Sequence, residues 1–325
     1  MQTDTKDKIR EFIKEKGNVS AKEIISRFDI SRQSIFRHLA KLLEKGEIGK
    51  AGKPPKVFYF IPEKKQEIKQ YNVPDYIRDF IEKRFFNITP IGEIKNGWQG
   101  FSEWCVKGEQ GVEKSAFDYF EILSKYEKIR KDGLIDGMNK MKNTFSEVYL
   151  DHVFYIDFYS IERFGKTKLG KILLYAKQSQ SKKMIREISN QINPYVKKLI
   201  KKYNIEAIAF IPPTVKREIQ IMKELENNLN FNLPKIGIFK VKTEIAVPQK
   251  TLNKLEDRIE NAKATFFIEE SRTYKNVLLI DDAVGSGATL NEIAAKIKHR
   301  GIVSGKIIGL AITGSLKGFD VISEV

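Results

Sequence analysis

Two adjacent carboxylates and a turn of small residues lie together near the end of the chain. The apolar run Val277–Ile280 precedes Asp281-Asp282, and a glycine-containing turn then leads to Thr289. Such a run predicts a buried strand, and the periodicity of Thr289–His299 predicts a helix directly after the turn. The first N–H groups of that helix and its positive dipole end would face the same crevice as the carboxylates. The pattern therefore predicts a phosphate site.

The residue types in the turn fit a sugar phosphate. Gly285 and Gly287 let the backbone come close to an anion. Ser286 and Thr289 add hydroxyl donors. The two aspartates can accept hydrogen bonds from sugar hydroxyls or hold Mg²⁺ through water.

Other glycine-turn motifs do not fit. A dinucleotide fingerprint requires a third glycine where Leu290 stands, and a Walker A loop requires a lysine where Ala288 stands. A plain strand-to-helix connection remains as an alternative. It is disfavoured because adjacent carboxylates are costly to desolvate without a ligand.

The segment Val277–Leu290 resembles the binding signature for phosphoribosyl pyrophosphate (PRPP) of type I phosphoribosyltransferases, in which an apolar strand, an acidic pair and a Ser/Thr/Gly turn follow in this order. The resemblance implies that the aspartates hold the ribose 2′ and 3′ hydroxyls and that the turn cradles the 5′-phosphate. It also implies that Mg²⁺ binds together with PRPP near the aspartates and that the protein holds no metal ion directly. The PRPP-binding residues implied here are Asp281, Asp282, Ala283, Val284, Gly285, Ser286, Gly287, Ala288 and Thr289.

Upstream segments are similar to the ComF-like branch of the same fold, and the resemblance covers about residues 160–315. Phe210–Arg217 looks like the pyrophosphate loop, with Gln220 matching a glutamine that follows it. Within that loop the implied PRPP contacts are Pro213, Thr214, Lys216 and Arg217. The mobile loop over the site is matched by Pro248, Gln249, Leu252, Arg258 and Asn261. The chain departs from the pattern at Gly285, usually Thr or Ser, and at Ile219, where the branch has Phe-Asn.

The chemistry of phosphoribosyl transfer agrees with these residue types. Loss of pyrophosphate from ribose C1 passes through an oxocarbenium-like state, which requires cations for the leaving charge and carboxylates near the ring. Asp281, Asp282 and Arg258 are the candidate catalytic residues, with Lys216 and Arg217 as further cations. The acceptor base is not readable, although Phe319 and the segment 313–318 are candidates for its hood.

Residues 1–62 have the pattern of a winged helix-turn-helix. Ser20 and Glu23 form a capping box, and Ser31 is the expected N-cap of a third helix whose core face carries Ile35, Leu39 and Leu42. A basic Gly-Pro tip follows between two strands. This resembles the winged helix of many bacterial regulators, which places the third helix in the major groove. The DNA-binding candidates are Arg32, Gln33, Arg37, Lys41, Lys53 and Lys56. A winged helix used only for dimerisation or docking is the alternative.

Two further domains follow in sequence. Residues 63–150 are mostly helical and of unknown role, with Trp98, Phe101 and Trp104 forming either a small core or a base-stacking platform. In residues 151–325, helical and strand-like segments alternate, which predicts an α/β domain with a parallel sheet. The expected fold is therefore a type I phosphoribosyltransferase domain joined to an N-terminal winged helix.

Composition narrows the class of protein. The 325 residues are 41% hydrophobic and carry a net charge of +16, which favours polyanions or phosphorylated metabolites as partners. The positive charge concentrates in residues 31–56 and 161–202. The second cluster either assists binding at the phosphate site, forms a solvent-exposed helix face or adds to the DNA-binding surface. Cys105 is the only cysteine, so an internal disulfide is excluded. We expect a cytoplasmic protein with no membrane segment.

A winged helix joined to a PRPP-binding fold resembles the purine-operon repressors. This implies a PRPP-responsive, DNA-binding regulator of nucleotide metabolism, expected to be a homodimer. The alternatives are an active phosphoribosyltransferase for nucleobase salvage and a nucleotide-acting effector of a defence system. Whether PRPP is a signal or a substrate, and which double-stranded DNA is bound, stays open at this point.

Overall fold

The computed structural model describes residues 5–62, 70–213, 217–241, 247 and 252–315. The chain splits into two compact units, Met1–Lys69 and Gln70–Val325. Within the described residues, no helix combines the length and the apolar character that crossing a bilayer would require.

The first unit contains three helices and a three-stranded antiparallel sheet. Its helices are α1 (Thr5–Lys16), α2 (Ala21–Arg27) and α3 (Arg32–Glu44). Its strands are β1 (Asn18–Ser20), β2 (Gly49–Lys53) and β3 (Lys56–Phe60). β3 pairs with both β1 and β2, and the β2–β3 hairpin forms the wing. The predicted winged helix is confirmed.

Local signals set the helix starts in this unit. The Ser20 hydroxyl accepts a hydrogen bond from the Glu23 amide, and the Ser20 amide donates to the Glu23 carboxylate at 2.8 Å. The Ser31 hydroxyl accepts from the Ser34 amide at 3.2 Å. Both predicted caps are therefore present. The apolar stripe of α3 is buried: Ile35, Leu39 and Leu42.

The second unit holds the remaining elements. Its helices are α4 (Asp75–Arg84), α5 (Gly97–Lys107), α6 (Val112–Lys128), α7 (Met138–Thr144), α8 (Lys168–Ser179), α9 (Lys182–Tyr203), α10 (Ile221–Leu229), α11 (Leu255–Thr265) and α12 (Ala288–His299). Its strands are β4 (Phe86–Ile88), β5 (Ile94–Asn96), β6 (Arg130–Lys131), β7 (Leu134–Asp136), β8 (His152–Phe158), β9 (Ser160–Ile161), β10 (Gly165–Lys166), β11 (Ala207–Phe210), β12 (Gly237–Lys240), β13 (Phe266–Glu269), β14 (Val277–Val284) and β15 (Ile307–Gly314).

A six-stranded mixed sheet organises this unit, in the order β11-β14-β15-β8-β7-β6. The first four strands are parallel, and β7 and β6 run antiparallel to their neighbours. β14 therefore lies inside the sheet, between β11 and β15. In register, Ile280 pairs with Phe210 on one side and Leu310 on the other. This position brings the carboxyl end of β14 beside the carboxyl ends of two other parallel strands, β11 and β15.

Helices cover both faces of the sheet. Val277 and Leu279 of β14 belong to the core that includes residues of α7 and α12. Leu278 and Ile280 belong to the core formed with α8, α9 and α10. The alternation follows from the pleat, because successive side chains of a strand point to opposite faces. The unit is therefore a three-layer α/β structure.

The aromatic residues of the middle segment form a core of their own. Phe101 is fully buried, and the Tyr119 ring lies 5.4 Å from Phe101 and 5.0 Å from Phe164 between ring centres. Trp98 and Trp104 are partly buried against the same cluster. Phe164 lies between β9 and β10, so this aromatic cluster continues into the sequence that follows β8.

Several strands differ from the sequence-based expectation. β8 was not predicted, because His152 and Asp157 interrupt its apolar run, yet it is a central parallel strand. β12 and β13 were expected in the alternating parallel sheet, but they pair antiparallel with each other. Beside the main sheet this segment makes only a parallel bridge from Lys235 to Ile208, among the described residues.

Candidate functional site

The two aspartates are part of β14. The strand continues through Val284, four residues beyond the predicted apolar run, so Asp281 and Asp282 extend on opposite sides of its carboxyl end. Val284 is buried in the core. The turn itself is short, because α12 begins at Ala288.

Glycine is required at position 287 for two reasons. Gly287 has φ +90°, in the left-handed region, and a Cβ there would overlap the Met141 sulfur. The buried Ser286 hydroxyl accepts a hydrogen bond from the Ala288 amide at 3.3 Å. First-turn amides of a helix have no intrahelical acceptor, so those of Thr289 and Leu290, which follow Ala288 in α12, can donate to an anion at the turn.

Asp282 forms a buried ion pair with Lys177, close to the end of α8. Lys177 Nζ lies 2.9 Å from Asp282 Oδ2, and the side chains are 6% and 15% exposed. Sequence reasoning had not singled out Lys177. The signal was present, because Lys177 follows Leu169 and Leu173 by eight and four residues and so lies on the apolar face of α8.

The carboxyl of Asp281 has a perturbed pKa. Burial, and then the neighbouring charge of Asp282, raise the pKa of the Asp281 carboxyl to about 8. The Asp282 amide, which donates to Asp281 Oδ1 at 2.8 Å, and the Lys177 ammonium act in the opposite direction on this pKa. A ligand that supplies hydrogen-bond donors or positive charge would stabilise the ionised form of this carboxyl.

Arg258 lies beside the glycine turn. A Cβ at Gly285 would lie 3.8 Å from Arg258 Nη1, with no closer neighbour in the described part of the chain. Arg258 is 5% exposed, and its Nε donates to the Leu252 carbonyl at 2.7 Å. Burial lowers the pKa of this guanidinium from its ordinary value. The turn therefore has a positioned cation on its open side.

The upstream loop begins beside the aspartates. The Ile211 amide donates to the Ile280 carbonyl at 2.9 Å, so the chain passes next to Asp281 as it enters Pro213. Arg217 follows, and its carbonyl accepts from Gln220 Nε2 at 2.6 Å. Thr214 and Lys216 lie outside the described residues, as do Pro248, Gln249 and Phe319.

The donor set fits Mg²⁺ only together with a ligand. In the described part of the chain, no three His, Cys, Asp or Glu residues come together as a potential metal cage. Among the described residues at the turn, Asp281 and Asp282 supply hard carboxylate oxygens. Magnesium is commonly bound by one or two carboxylates plus substrate phosphates, which agrees with this donor set.

In the first unit, the predicted DNA-binding residues share an accessible surface. Along α3, the side chains of Arg32, Gln33, Arg37 and Lys41 are exposed, opposite the buried stripe. The helix thus offers cationic and amide groups of the types that contact base edges and phosphates. The Arg32 guanidinium lies over the Phe36 ring, 5.7 Å from its centre.

The wing adds two lysines. Lys53 and Lys56 are Cα partners in the last register pair of the β2–β3 hairpin, and both are exposed. Residues 5–53 match the family model of an HTH domain. The match supports a DNA-binding regulator and covers α1 through β2. No curated protein matches the chain.

Proposed function

We propose that this protein is a DNA-binding regulator whose second unit binds PRPP at the Asp281–Thr289 turn. The carrying observation is the carboxylate pair at the end of β14, next to a glycine turn that opens onto the amino end of α12. Arg258 and Lys177 add cations at the same place. This combination of acceptors and donors is complementary to the hydroxyls and the phosphate of a sugar phosphate.

Each group has a role in such binding. Asp281 and Asp282 would accept hydrogen bonds from the ribose hydroxyls, and the first-turn amides of α12 would donate to the 5′-phosphate. Arg258 is positioned to face further phosphate charge. Mg²⁺, when bound with PRPP, would supply positive charge near the two aspartates.

The regulatory step follows from linkage. If PRPP changes the affinity of the winged helix for DNA by some factor, DNA changes the affinity for PRPP by the same factor. A homodimer, expected from the resemblance to purine-operon repressors, would present two winged helices to one operator.

The test is a titration of DNA binding at fixed salt with and without PRPP and Mg²⁺. We expect PRPP to change the DNA affinity of the wild type and to leave the DNA affinity of Asp281→Asn unchanged. Without PRPP, the variant should bind DNA as tightly as the wild type does. The matched control is Asp79→Asn, because Asp79 is an exposed aspartate on α4. Equal PRPP binding by Asp281→Asn and the wild type, measured by calorimetry, contradicts the site.

Buried Arg258 beside Gly285 favours a second candidate, an active phosphoribosyltransferase. In that reaction the C1–O bond breaks with its electrons leaving on pyrophosphate, and a base nitrogen bonds to C1 and loses a proton. The candidate catalytic residues remain Asp281, Asp282 and Arg258. Pyrophosphate release with one of the common bases, lost in Arg258→Gln, would support it; PRPP binding without release favours the sensor.

A further inference from the structure

A separate cavity lies at the beginning of α8. It has a volume of about 520 Å³ and is bounded by α4, α6, the β6–β7 hairpin and the first turn of α8. Cavities that bind small molecules have volumes of this order. Its lining includes none of the residues assigned above to PRPP. We call it the α8 cavity.

The lining of the α8 cavity has an excess of positive charge. Six basic side chains line it: Lys83, Arg84, Arg130, Lys166, Lys168 and Lys171. Two carboxylates, Glu127 and Asp157, face them. Arg84 and Arg130 both pair with Glu127, and Arg130 also pairs with Asp157. The lysines have no ion pair within the described residues, so the surplus of positive charge is theirs.

The amino end of α8 concentrates that charge. Lys168 and Lys171 lie in its first turn, which contains no acidic residue. Helix starts normally favour acidic side chains, because the dipole is positive there. Two lysines at this position repel the dipole, and an anion in the cavity would relieve the repulsion.

Lys171 is held in the wall of the cavity. Its Nζ donates to Asn87 Oδ1 at 3.0 Å and lies 5.4 Å from the centre of the Phe85 ring. Burial, and then the charge of Lys166, lower the pKa of this ammonium to about 8. A partly buried lysine without a carboxylate partner is costly for the fold, and a bound anion would offset that cost.

The Tyr119 hydroxyl is a second polar group in the wall. Tyr119 is 6% exposed and lines the cavity. Burial, and then the charge of Asp157, raise the pKa of Tyr119, whereas the Arg84 guanidinium acts in the opposite direction. The hydroxyl therefore lies near the polar part of the lining. The Phe85 and Phe164 rings line the same wall and offer apolar edges.

We propose that the α8 cavity binds a phosphorylated small molecule of up to nucleotide size, with the phosphate at Lys166, Lys168 and Lys171 and a flat ring against the aromatic wall. The Tyr119 hydroxyl donates to the ligand. This site is distinct from the Asp281 turn, and it does not depend on PRPP binding there.

Calorimetry on the full chain tests the proposal with AMP, GMP, CMP and UMP as probes and the four nucleosides as unphosphorylated matches. At least one nucleotide should bind while its nucleoside does not. Lys171→Gln and Lys168→Gln should each weaken that binding about tenfold, the value of one charge-assisted hydrogen bond. Lys183→Gln, an exposed lysine on α9, is the matched control and should bind as the wild type does.

The same experiment separates the two sites. Asp281→Asn should keep the nucleotide affinity of the wild type, because no residue of the turn lines the cavity. The proposal is wrong if none of the four nucleotides binds, if both lysine variants bind as the wild type does, or if Asp281→Asn abolishes nucleotide binding. Lys168 is half-buried, so Lys168→Gln keeps the test valid if Lys171→Gln does not fold.

Discussion

Replacing Lys177 with methionine isolates the electrostatics of the aspartate pair. Methionine keeps the length of the side chain and removes its charge. Lys177 is 6% exposed and its partner Asp282 15%, so the variant leaves a largely buried carboxylate without its cation and next to Asp281. Breaking a buried pair by removing one partner costs about 3–5 kcal/mol. Because Asp282 retains some solvent contact, we expect a loss of about 3 kcal/mol in the free energy of unfolding, at the lower end of that range.

A double-mutant cycle gives the interaction its own value. Asp282→Asn alone leaves Lys177 buried without this carboxylate, and it should also destabilise the protein. The double variant Lys177→Met/Asp282→Asn removes both charges. It should therefore recover most of the loss, with a coupling free energy of about 2 kcal/mol or more.

Tryptophan fluorescence in a urea titration is the assay. The only two tryptophans of the chain, Trp98 and Trp104, are both in the second unit, so the signal reports the unfolding of that unit. Lys182→Met is a suitable control, because Lys182 is exposed at the start of α9. The reasoning is refuted if Lys177→Met costs less than about 1 kcal/mol, the value of an exposed pair, or if the two single losses simply add in the double variant.

Three further predictions concern the pH dependence of stability, the α8 cavity and the wing. The pKa of Asp281 is raised from 3.8 to about 8, so the folded state retains a proton that the unfolded state has lost, and this contribution to stability is lost as the pH rises through about 8. In urea titrations at several pH values, the stability gained by Asp281→Asn over the wild type should therefore grow up to about pH 8 and then level off. A difference that stays constant with pH would contradict the raised pKa of Asp281. The pKa of Lys171 is lowered from 10.5 to about 8, so the free-energy penalty of its burial in the charged form is complete below pH 8 and disappears towards pH 10.5. Lys171→Met should therefore raise the free energy of unfolding at pH 7 by up to about 3 kcal/mol. If the variant is instead less stable than the wild type, the fold itself stabilises the Lys171 ammonium. Replacing Lys53 and Lys56 together by alanine should lower the magnitude of the slope of log affinity for duplex DNA against log salt concentration by about 0.9 for each phosphate that the wing no longer neutralises, as measured by fluorescence anisotropy. The control is Lys14→Ala, because Lys14 is an exposed lysine on α1, and it should leave the slope unchanged. An unchanged slope in the wing variant would exclude phosphate binding by the wing.

The first unit could be predicted from the sequence almost in full. Its caps join residues three positions apart, as between Ser20 and Glu23, and its wing joins neighbouring strands. Interactions of this short range depend on residue type and spacing alone. The same reason explains why β14, the glycine turn and α12 were recognised as consecutive elements.

Long-range neighbours were the part that the sequence could not supply. Lys177 and Asp282 are separated by more than a hundred residues, and they meet because α8 packs on the face of the sheet to which Asp282 points. The spacing of Lys177 from Leu169 and Leu173 indicates that it faces the core, but it does not indicate which carboxylate it meets there. Arg258 was found through the resemblance, but its place beside Gly285 follows from how α11 packs.

Sequence alone thus determined the helix caps and the wing of the first unit and the chemistry available at the turn after Asp282. Tertiary structure decided which strands are neighbours, which charges are buried and where a cavity is left. β8 shows the difference: with His152 and Asp157 its pattern is ambiguous, and its central position is set by pairing with β15 and β7. The physical reason is that hydrogen bonds within a turn are local, whereas burial is a property of the whole packed chain.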